Sequence, residues 1–373
     1  MTLSGRATPD GTARYIQKLQ TDLSENHFRS HRNLNISSLG LGTYLGEATE
    51  DHDSAYENAA IQAVRTGLNH LDTAINYRYQ RSERSIGRAL ESLIEDGDFS
   101  RDEIIVATKA GFVPFDSAEP DDPMDYIRTE FIEPGVVSPH DFTRSGHCLK
   151  PDYLEHQLNK SLDNLGLETV DVFYIHNPET QLNENSYEDF LNDLEVAFER
   201  LEELTDDNLL STYGIATWDG LRVDPEDDQY LKLSDVVQCA RNAGGEDHSF
   251  QAVQLPFNLG MSEALTKGNQ PLDDDSLTPL EACRQLNLMT VTSASLLQGR
   301  LANHLPDEIK EDLDEFDSNA LRALQFTRSA PGVTSALVGM KSPEHLEENL
   351  SLAREAPFSS SEFTNRFLRE VAE

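Results

Sequence analysis

Residues 69–77 read NHLDTAINY and decide the fold, because they place two reactive polar side chains directly after a short buried strand. The apolar start of the stretch is typical of a strand that is covered on both faces. Asp72 closes that strand, and Tyr77 follows five residues later. Reactive side chains at the carboxyl end of a strand are characteristic of parallel α/β folds, in which the loops at that end form the active site.

Two further segments repeat the arrangement of an apolar strand that ends in a polar residue. The segment IIVATK at 104–109 ends in Lys109, and the segment VDVFYIH at 170–176 ends in His176. Neighbouring strands of a parallel barrel bring their carboxyl ends together. We therefore expect the polar ends of all three segments to meet.

The four residue types are those that reduction of a carbonyl by hydride requires. The developing alkoxide needs a proton donor, and a phenol can serve if a nearby cation lowers its pKa and a carboxylate holds that cation. Tyr77 would be this general acid, and Lys109 and Asp72 would tune it. His176 would orient the carbonyl oxygen.

Alternatives to this assignment remain at the level of single residues. Tyr44 and Tyr79 are competing phenols, but only Tyr77 keeps the spacing of five from Asp72. A buried lysine is costly unless it is paired, so a purely structural Lys109–Asp72 ion pair is also possible. A metal-dependent hydrolase has too few ligands here, because no His-x-His pair lies near the first strand.

Short apolar runs alternate with amphipathic stretches along most of the chain. Eight strands, each followed by a helix, predict a closed parallel (β/α)8 TIM barrel, a single α/β domain at 36–373 that ends in a short C-terminal tail. An open doubly wound sheet is the alternative, but no Gly-x-Gly-x-x-Gly follows the first strand. The strands are predicted near 38–43, 68–72, 104–109, 170–176, 211–216, 252–255, 289–293 and 334–339.

Two segments lie outside this alternation. Residues 1–35 precede the barrel as an N-terminal arm. Residues 111–150 form a long loop, rich in proline and aromatic residues, between the third strand and its helix. A loop of that length in a compact domain is usually functional or disordered. We expect a wall of the substrate pocket, and the alternative is an ordered decoration without a substrate role.

With these residues in place, the chain resembles the aldo-keto reductase family over roughly residues 28–355. The most specific part of the likeness is Asp-Thr-Ala-x-x-Tyr, which spans Asp72 to Tyr77. The resemblance implies NAD(P)H-dependent reduction of an aldehyde or ketone to an alcohol, with NADP(H) favoured over NAD(H). It also implies that residues 28–39 form a hairpin that closes the barrel bottom. An aldose dehydrogenase and a catalytically idle, cofactor-binding regulatory module are the alternatives.

The same resemblance implies a nicotinamide site at the ends of the later strands. Gln254 would bond the nicotinamide amide, and Phe257 would stack on its ring. Ala216 and Thr217 stand where the family usually has an amide-binding serine and asparagine, and Thr217 can still donate one hydrogen bond.

The phosphate groups of the cofactor would bind after the last two strands. Residues 293–301 resemble the family's pyrophosphate loop, and residues 339–349 resemble its adenosine-phosphate segment. A helix that begins after Ser342 suits a phosphate, which Lys341 and His345 could also meet. The complete set predicted to contact the cofactor is Gly42, Thr43, Thr217, Gln254, Phe257, Ser293, Leu296, Gly299, Gly339, Lys341, Ser342, His345, Glu348 and Asn349.

Composition narrows the class of protein further. The 30 basic and 67 acidic residues give a net charge of −37, which excludes partners such as nucleic acid and anionic membranes. The partner that the resemblance implies is a small carbonyl or sugar substrate. Scarce lysine with acidic residues throughout resembles proteins of salt-accumulating, haloarchaeal-type prokaryotes, and the alternative is an acidic enzyme of a mesophile. Three cysteines without paired spacing suit a reducing cytoplasm and no metal site. No signal peptide or membrane helix is expected.

Overall fold

The structure is a computed structural model that describes residues 2–19 and 23–368. Eight parallel strands close into a barrel in the order β11-β12-β3-β4-β5-β6-β7-β8, which confirms the predicted (β/α)8 TIM barrel. In chain order the strands are β1 Phe28–His31, β2 Leu34–Ser37, β3 Leu39–Gly42, β4 His70–Asp72, β5 Ile105–Ala110, β6 Val170–His176, β7 Leu210–Ala216, β8 Phe250–Pro256, β9 Gln270–Leu272, β10 Asp275–Leu277, β11 Met289–Ser293 and β12 Ser335–Val338.

Helices surround the barrel, and their ends follow from local sequence chemistry. The second helix shows this: the side chain of Thr49 caps its start, and Gly67 ends it in a left-handed conformation with φ 117°. The helices are α1 Pro9–Leu19, α2 Glu50–Thr66, α3 Arg81–Glu95, α4 Pro123–Ile127, α5 Pro151–Leu165, α6 Tyr187–Asp206, α7 Leu233–Gly244, α8 Glu263–Thr266, α9 Pro279–Gln285, α10 Arg300–Asn303, α11 Asp307–Asp312, α12 Asn319–Ser329, α13 Pro343–Ser351 and α14 Ser360–Phe367. Among the described residues, none of these helices combines the length and apolar character that crossing a membrane requires.

The strand register brings the polar strand ends together. Asp72 on β4 pairs with Ala107 on β5, two residues before Lys109. Lys109 in turn pairs with Tyr174 on β6, two residues before His176. Because side chains two residues apart point to the same face of a strand, Lys109 lies one step above Asp72 on the neighbouring strand.

The hairpin of β1 and β2 closes the bottom of the barrel, as the resemblance implied. Its turn is formed by Arg32 and Asn33, both left-handed with φ 46° and 67°. Ile36 on β2 is fully buried and packs with Ala7 against the inward-facing side chains of the barrel. The hairpin crosses the predicted arm boundary at residue 35. Residues 1 and 20–22 of the arm, and 369–373 of the predicted tail, lie outside the described residues.

The long insertion is ordered around a cluster of aromatic side chains. Phe131 packs edge-on against Phe142 and Tyr153, with ring centroids 6.1 and 5.4 Å apart. A paired Arg84 and Asp116, 2.8 Å apart, fasten the insertion to α3. The aromatic cluster and this ion pair therefore fix the insertion to α5 and α3.

Candidate active site

A buried ion pair lies at the centre of the carboxyl end of the barrel. Lys109 Nζ donates to Asp72 Oδ1 at 2.5 Å and to the carbonyl oxygen of Thr73 at 2.7 Å. The second carboxylate oxygen of Asp72 accepts from Gln254 Nε2 at 2.8 Å. Burial lowers the pKa of Lys109, and the nearby carboxylate of Asp72 opposes that shift. The pair is thus held by three strands, and two of the three ammonium protons have protein acceptors among the described residues.

Tyr77 lies directly beside this pair. Lys109 Nζ is 5.0 Å from the centroid of the Tyr77 ring. The pKa of Tyr77 is raised well above its usual value, first by burial and then by the charge of Asp72. The expected lowering of the Tyr77 pKa by Lys109 is therefore wrong for this arrangement, because burial of the phenol and the charge of Asp72 dominate. The phenol stays protonated over the ordinary pH range, which is the state that a proton donor needs.

His176 completes the predicted quartet. Its ring packs edge-on against the rings of Tyr77 and Phe112, each at 5.7 Å between centroids. Burial and the charge of Lys109 lower its pKa well below the usual value, so the imidazole is neutral. A neutral imidazole can donate a hydrogen bond to a carbonyl oxygen without transferring its proton.

Several polar atoms in the segments predicted to bind the cofactor are buried and lack a hydrogen-bond partner within the described residues. They include Thr217 Oγ1, Ser295 Oγ and Asn349 Oδ1. The backbone N–H of Thr217 donates to the carbonyl oxygen of Gln254 at 2.8 Å, which places the two side by side. Unsatisfied buried polar groups are costly, and a bound polar ligand would satisfy them. The residues present therefore fit a dinucleotide.

Glycines leave open surface at the ends of β3 and β12. A methyl group placed on Gly42 would come no closer than 3.7 Å to Leu337, and one on Gly339 would meet only the Gly42 carbonyl oxygen, also at 3.7 Å. Packing within the chain thus does not require glycine at either position. The open surface suits close approach of a ligand to the backbone. Thr43, next to Gly42, is engaged in the fold itself, because its hydroxyl donates to the carbonyl oxygen of Asp72.

The predicted pyrophosphate loop has an unusual backbone. Ser293 ends β11, and the loop then contains Leu297, Gln298 and Gly299 in succession with φ 47°, 53° and 85°. Successive left-handed residues are rare outside glycine and are typical of functional loops. Leu296 is partly buried and packs on the core, so it anchors the loop.

The position predicted to stack on the nicotinamide has a different role. Phe257 is fully buried, and its ring stacks on Phe326 of α12 at 5.4 Å between centroids. The side chain follows the end of β8 and points outward into the layer between barrel and helices. It presents no free face to a cofactor, and we therefore remove Phe257 from the candidate site.

Cationic side chains converge at the outer edge of the site. A methyl group on Gly46 would lie 3.0 Å from Lys341 Nζ and 3.7 Å from Arg78 Nε. Arg78 is buried, pairs with Asp53, and leaves its Nη1 atom without a partner in the described structure. Sequence reasoning missed Arg78, although it directly follows Tyr77. Its side chain gives the edge a charge that suits phosphate.

The segment after β12 begins α13 as expected. The hydroxyl of Ser342 accepts from the N–H of His345 at 3.3 Å and caps the helix. The His345 side chain is exposed, Glu348 is partly exposed and Asn349 is buried. Within the described part of the chain, no group of three or more histidine, cysteine or acidic side chains could hold a metal ion.

Comparisons with known proteins agree with the fold. The family model described as aldo/keto reductase family matches residues 38–239, which is more than half of the chain. An uncharacterized oxidoreductase of Bacillus subtilis, YqkF, is 25% identical over 334 residues, covering 86% of this chain and 88% of that protein. L-glyceraldehyde 3-phosphate reductase of Escherichia coli is 25% identical over 350 residues, covering 87% of this chain and 86% of that protein.

Solved structures lead to the same conclusion about architecture. An aldo/keto reductase of Klebsiella pneumoniae, crystallised with NADP and acetate, matches with a TM-score of 0.60 at 18% identity, over 94% of this chain and 98% of that one. This likeness confirms the barrel fold. Because the family model covers more than half of the chain, including all three strands that carry the quartet, the chain belongs to the aldo/keto reductase family and is an oxidoreductase.

Proposed function

We propose that this protein reduces an aldehyde or ketone to an alcohol with NADPH, and that Tyr77 donates the proton. The observation that carries the proposal is the phenol ring of Tyr77 5.0 Å from the ammonium group of the buried Lys109–Asp72 pair, with the imidazole of His176 in edge contact with the same ring. A bound nicotinamide supplies the hydride. The chain supplies the proton donor, the orientation of the carbonyl and exclusion of water.

Each catalytic side chain has a role that its surroundings support. Tyr77 holds a proton at its phenol oxygen, because burial keeps its pKa high. Lys109 keeps one ammonium proton without an acceptor among the described residues and can stabilise negative charge that develops on the phenol. Asp72 fixes Lys109, and His176 offers an N–H to the carbonyl oxygen.

A preference for NADPH over NADH is part of the proposal. Lys341 and Arg78 place two cations about Gly46, and Ser342 begins α13 close by. A 2′-phosphate carries the negative charge that such an edge would bind. The free cysteines of the described chain are all buried, which fits a cytoplasmic enzyme.

The same quartet can run in reverse, so an aldose dehydrogenase remains the second candidate. Measuring NADPH oxidation with a panel of aldehydes and ketones, and NADP⁺ reduction with a panel of aldoses, separates the two directions. An intact quartet speaks against the idle regulatory module, and complete absence of turnover in both panels would favour it.

The decisive variant is Tyr77→Phe. We expect kcat to fall at least ~10²-fold, the low end for positioned acid catalysis, with the affinity for NADPH nearly unchanged. Tyr44→Phe is the matched control, because Tyr44 is an exposed phenol whose ring contacts that of Tyr77 at 5.1 Å. Near-full turnover in Tyr77→Phe, or an equal loss in Tyr44→Phe, would contradict the assignment.

A further inference from the structure

The imidazole of His176 lacks the support that usually orients a catalytic histidine. A functional imidazole is commonly fixed by a hydrogen bond to its second ring nitrogen. His176 Nδ1 is buried and has no such partner among the described residues. The ring is instead held by two edge-on aromatic contacts, from Tyr77 and Phe112. Its orientation therefore depends on how well the adjoining backbone and the Phe112 ring are fixed.

His147, near the end of the long insertion, binds that backbone. Its Nε2 atom lies 2.8 Å from the carbonyl oxygen of His176, and its Nδ1 atom lies 2.8 Å from Gln181 Nε2. Because an amide nitrogen can only donate, His147 Nδ1 must accept, and the ring proton is on Nε2. His147 therefore donates to His176. Burial lowers the pKa of His147 to about 4, so this neutral tautomer persists at ordinary pH.

Gly111 makes the contact between the two histidines possible. A methyl group on Gly111 would lie 2.6 Å from His147 Nε2 and 2.9 Å from the His176 carbonyl oxygen. Its φ of +151° is also a conformation that other residues rarely adopt. The hydrogen bond thus passes over a residue that must be glycine.

The two ends of the insertion meet at this point. Phe112 and His147 form an antiparallel bridge, and the N–H of Cys148 donates to the carbonyl oxygen of Gly111 at 2.9 Å. The Phe112 ring touches both histidines, with centroids 5.0 Å from His147 and 5.7 Å from His176. The base of the insertion therefore contacts His176 in two ways, through the hydrogen bond from His147 to its backbone and through the Phe112 ring against its imidazole.

We propose that His147 is a positioning residue for the reaction, holding His176 and the Phe112 ring in the arrangement that orients the carbonyl. The inference rests on the reductase function proposed above. It assigns part of the insertion a role in catalysis that neither the quartet nor its spacing indicates. Since His147 contacts no reacting atom, its removal should affect use of the carbonyl and not binding of the cofactor.

The test compares His147→Phe with His147→Gln. The phenylalanine keeps a ring of similar shape and removes both hydrogen bonds, whereas the glutamine retains a donor. We expect His147→Phe to lower kcat/KM for the carbonyl about 10-fold or more, by analogy with the ~10–100-fold losses typical when a group that orients a metal-binding histidine is removed. His147→Gln should recover part of that loss. NADPH affinity, measured by fluorescence titration, should stay unchanged in both variants.

His156→Phe is the control for loss of a histidine from the same region. His156 is partly exposed on α5 and packs edge-on against Phe131 at 5.5 Å, away from the quartet. Nitrogen-15 NMR of the histidine rings adds a readout that does not depend on turnover. The His176 resonances should move in His147→Phe and stay in place in His156→Phe.

The outcomes separate failure of this inference from failure of the proposed function. Wild-type protein without carbonyl turnover would overturn the reductase function, and the NMR comparison would still decide whether His147 positions His176. Wild-type kcat/KM and unmoved His176 resonances in His147→Phe would overturn the inference. If His147→Phe does not fold, Gln181→Leu removes the bond to His147 Nδ1 together with the Gln181 contacts to the His147 carbonyl oxygen and to Asn185. An unchanged kcat/KM and unmoved His176 resonances in that variant overturn the inference equally.

Discussion

The barrel has a buried ion pair at each end, and the two pairs are built alike. At the carboxyl end Lys109 and Asp72 are 2.5 Å apart, and at the amino end Arg101 and Asp171 are 2.7 Å apart. All four side chains are at most 5% exposed. Removing one partner of such a pair is costly, because the other charge is left buried and unpaired. Electrostatics alone therefore does not distinguish the catalytic pair from the structural one.

What surrounds each pair makes the difference. Asp171 accepts from the N–H groups of Ala7 and Val106 at 2.6 and 2.7 Å. The Arg101–Asp171 pair, which we call the lower pair, therefore connects the N-terminal arm to the barrel wall. The upper pair, Lys109–Asp72, instead adjoins the phenol ring of Tyr77, which is in edge contact with the imidazole of His176. A buried pair becomes part of a reactive site where a phenol and an imidazole adjoin it.

The largest effect is expected from breaking the upper pair. Lys109→Met should abolish most turnover, by at least ~10²-fold, because the phenol loses its neighbouring ammonium group. It should also lower the free energy of unfolding by roughly 3–5 kcal/mol, because Asp72 stays buried without its partner. Steady-state kinetics and urea unfolding measure the two losses.

Lys150→Met is the control for that substitution. The Lys150–Asp193 pair is well exposed, with 40% and 38% of the side chains accessible, so its removal should cost at most about 1 kcal/mol and leave turnover intact. Lost activity with unchanged unfolding in Lys109→Met would mean that the upper pair is more solvated than its burial indicates.

Breaking the lower pair should lower the stability of the protein and leave its activity nearly unchanged. Arg101→Met leaves Asp171 buried and unpaired, so we expect a similar loss of roughly 3–5 kcal/mol in the free energy of unfolding. Turnover per folded molecule should stay within about twofold of wild type, because no group of the quartet contacts this pair. Loss of kcat without loss of stability would contradict the structural role of the lower pair.

Much of the upper end could be predicted from the sequence because neighbouring strands of a parallel barrel are consecutive in the chain. Once the apolar runs were placed, the meeting of Asp72, Lys109 and His176 followed from strand order. The direction of the Tyr77 pKa shift did not follow, because it depends on how deeply the phenol is buried and how close the Asp72 carboxylate lies to it. Spacing along the chain carries no information about such a distance.

Two other features were beyond sequence reasoning for different reasons. Phe257 follows a strand end, where the inward–outward alternation of side chains stops, so its packing on Phe326 could not be derived from period. His147 lies in an insertion without periodicity, 29 residues from His176. The one sequence feature that is related to this contact is Gly111, at the start of the insertion. The place where a long loop contacts the barrel depends on tertiary packing, and the spacing of the quartet residues contains no information about that packing.

A smaller effect, on cofactor affinity alone, is expected from substitution of Lys341. Lys341 is partly exposed and has no ion-pair partner among the described residues, unlike Lys109 and Arg101. Lys341→Ala should therefore leave stability nearly unchanged and weaken NADPH more than NADH. Charge-assisted phosphate contacts contribute about 1.5–3 kcal/mol, which corresponds to a roughly 10- to 150-fold change in Kd.

Fluorescence titration with both cofactors measures that difference. Lys310→Ala is the control, because this lysine lies on α11 and pairs only with Asp307 at 2.9 Å. Equal losses for NADPH and NADH, or none, would show that Lys341 is only a surface residue.

Salt should raise the Tm of the whole protein but should hardly change the contribution of a buried ion pair to that Tm. With 67 acidic and 30 basic residues, self-repulsion of the surface should destabilise the compact state in dilute buffer. Screening shortens from about 10 Å at 0.1 M to about 3 Å at 1 M, so molar KCl should raise the Tm of wild type and preserve its activity. The Tm gap between wild type and Arg101→Met should remain constant across that range, because buried pairs are screened little. A wild-type Tm that is flat from 0.1 to 1 M would contradict a halophilic surface and leave the reductase assignment intact, whereas a gap that closes with salt would show that the lower pair is reached by solvent ions.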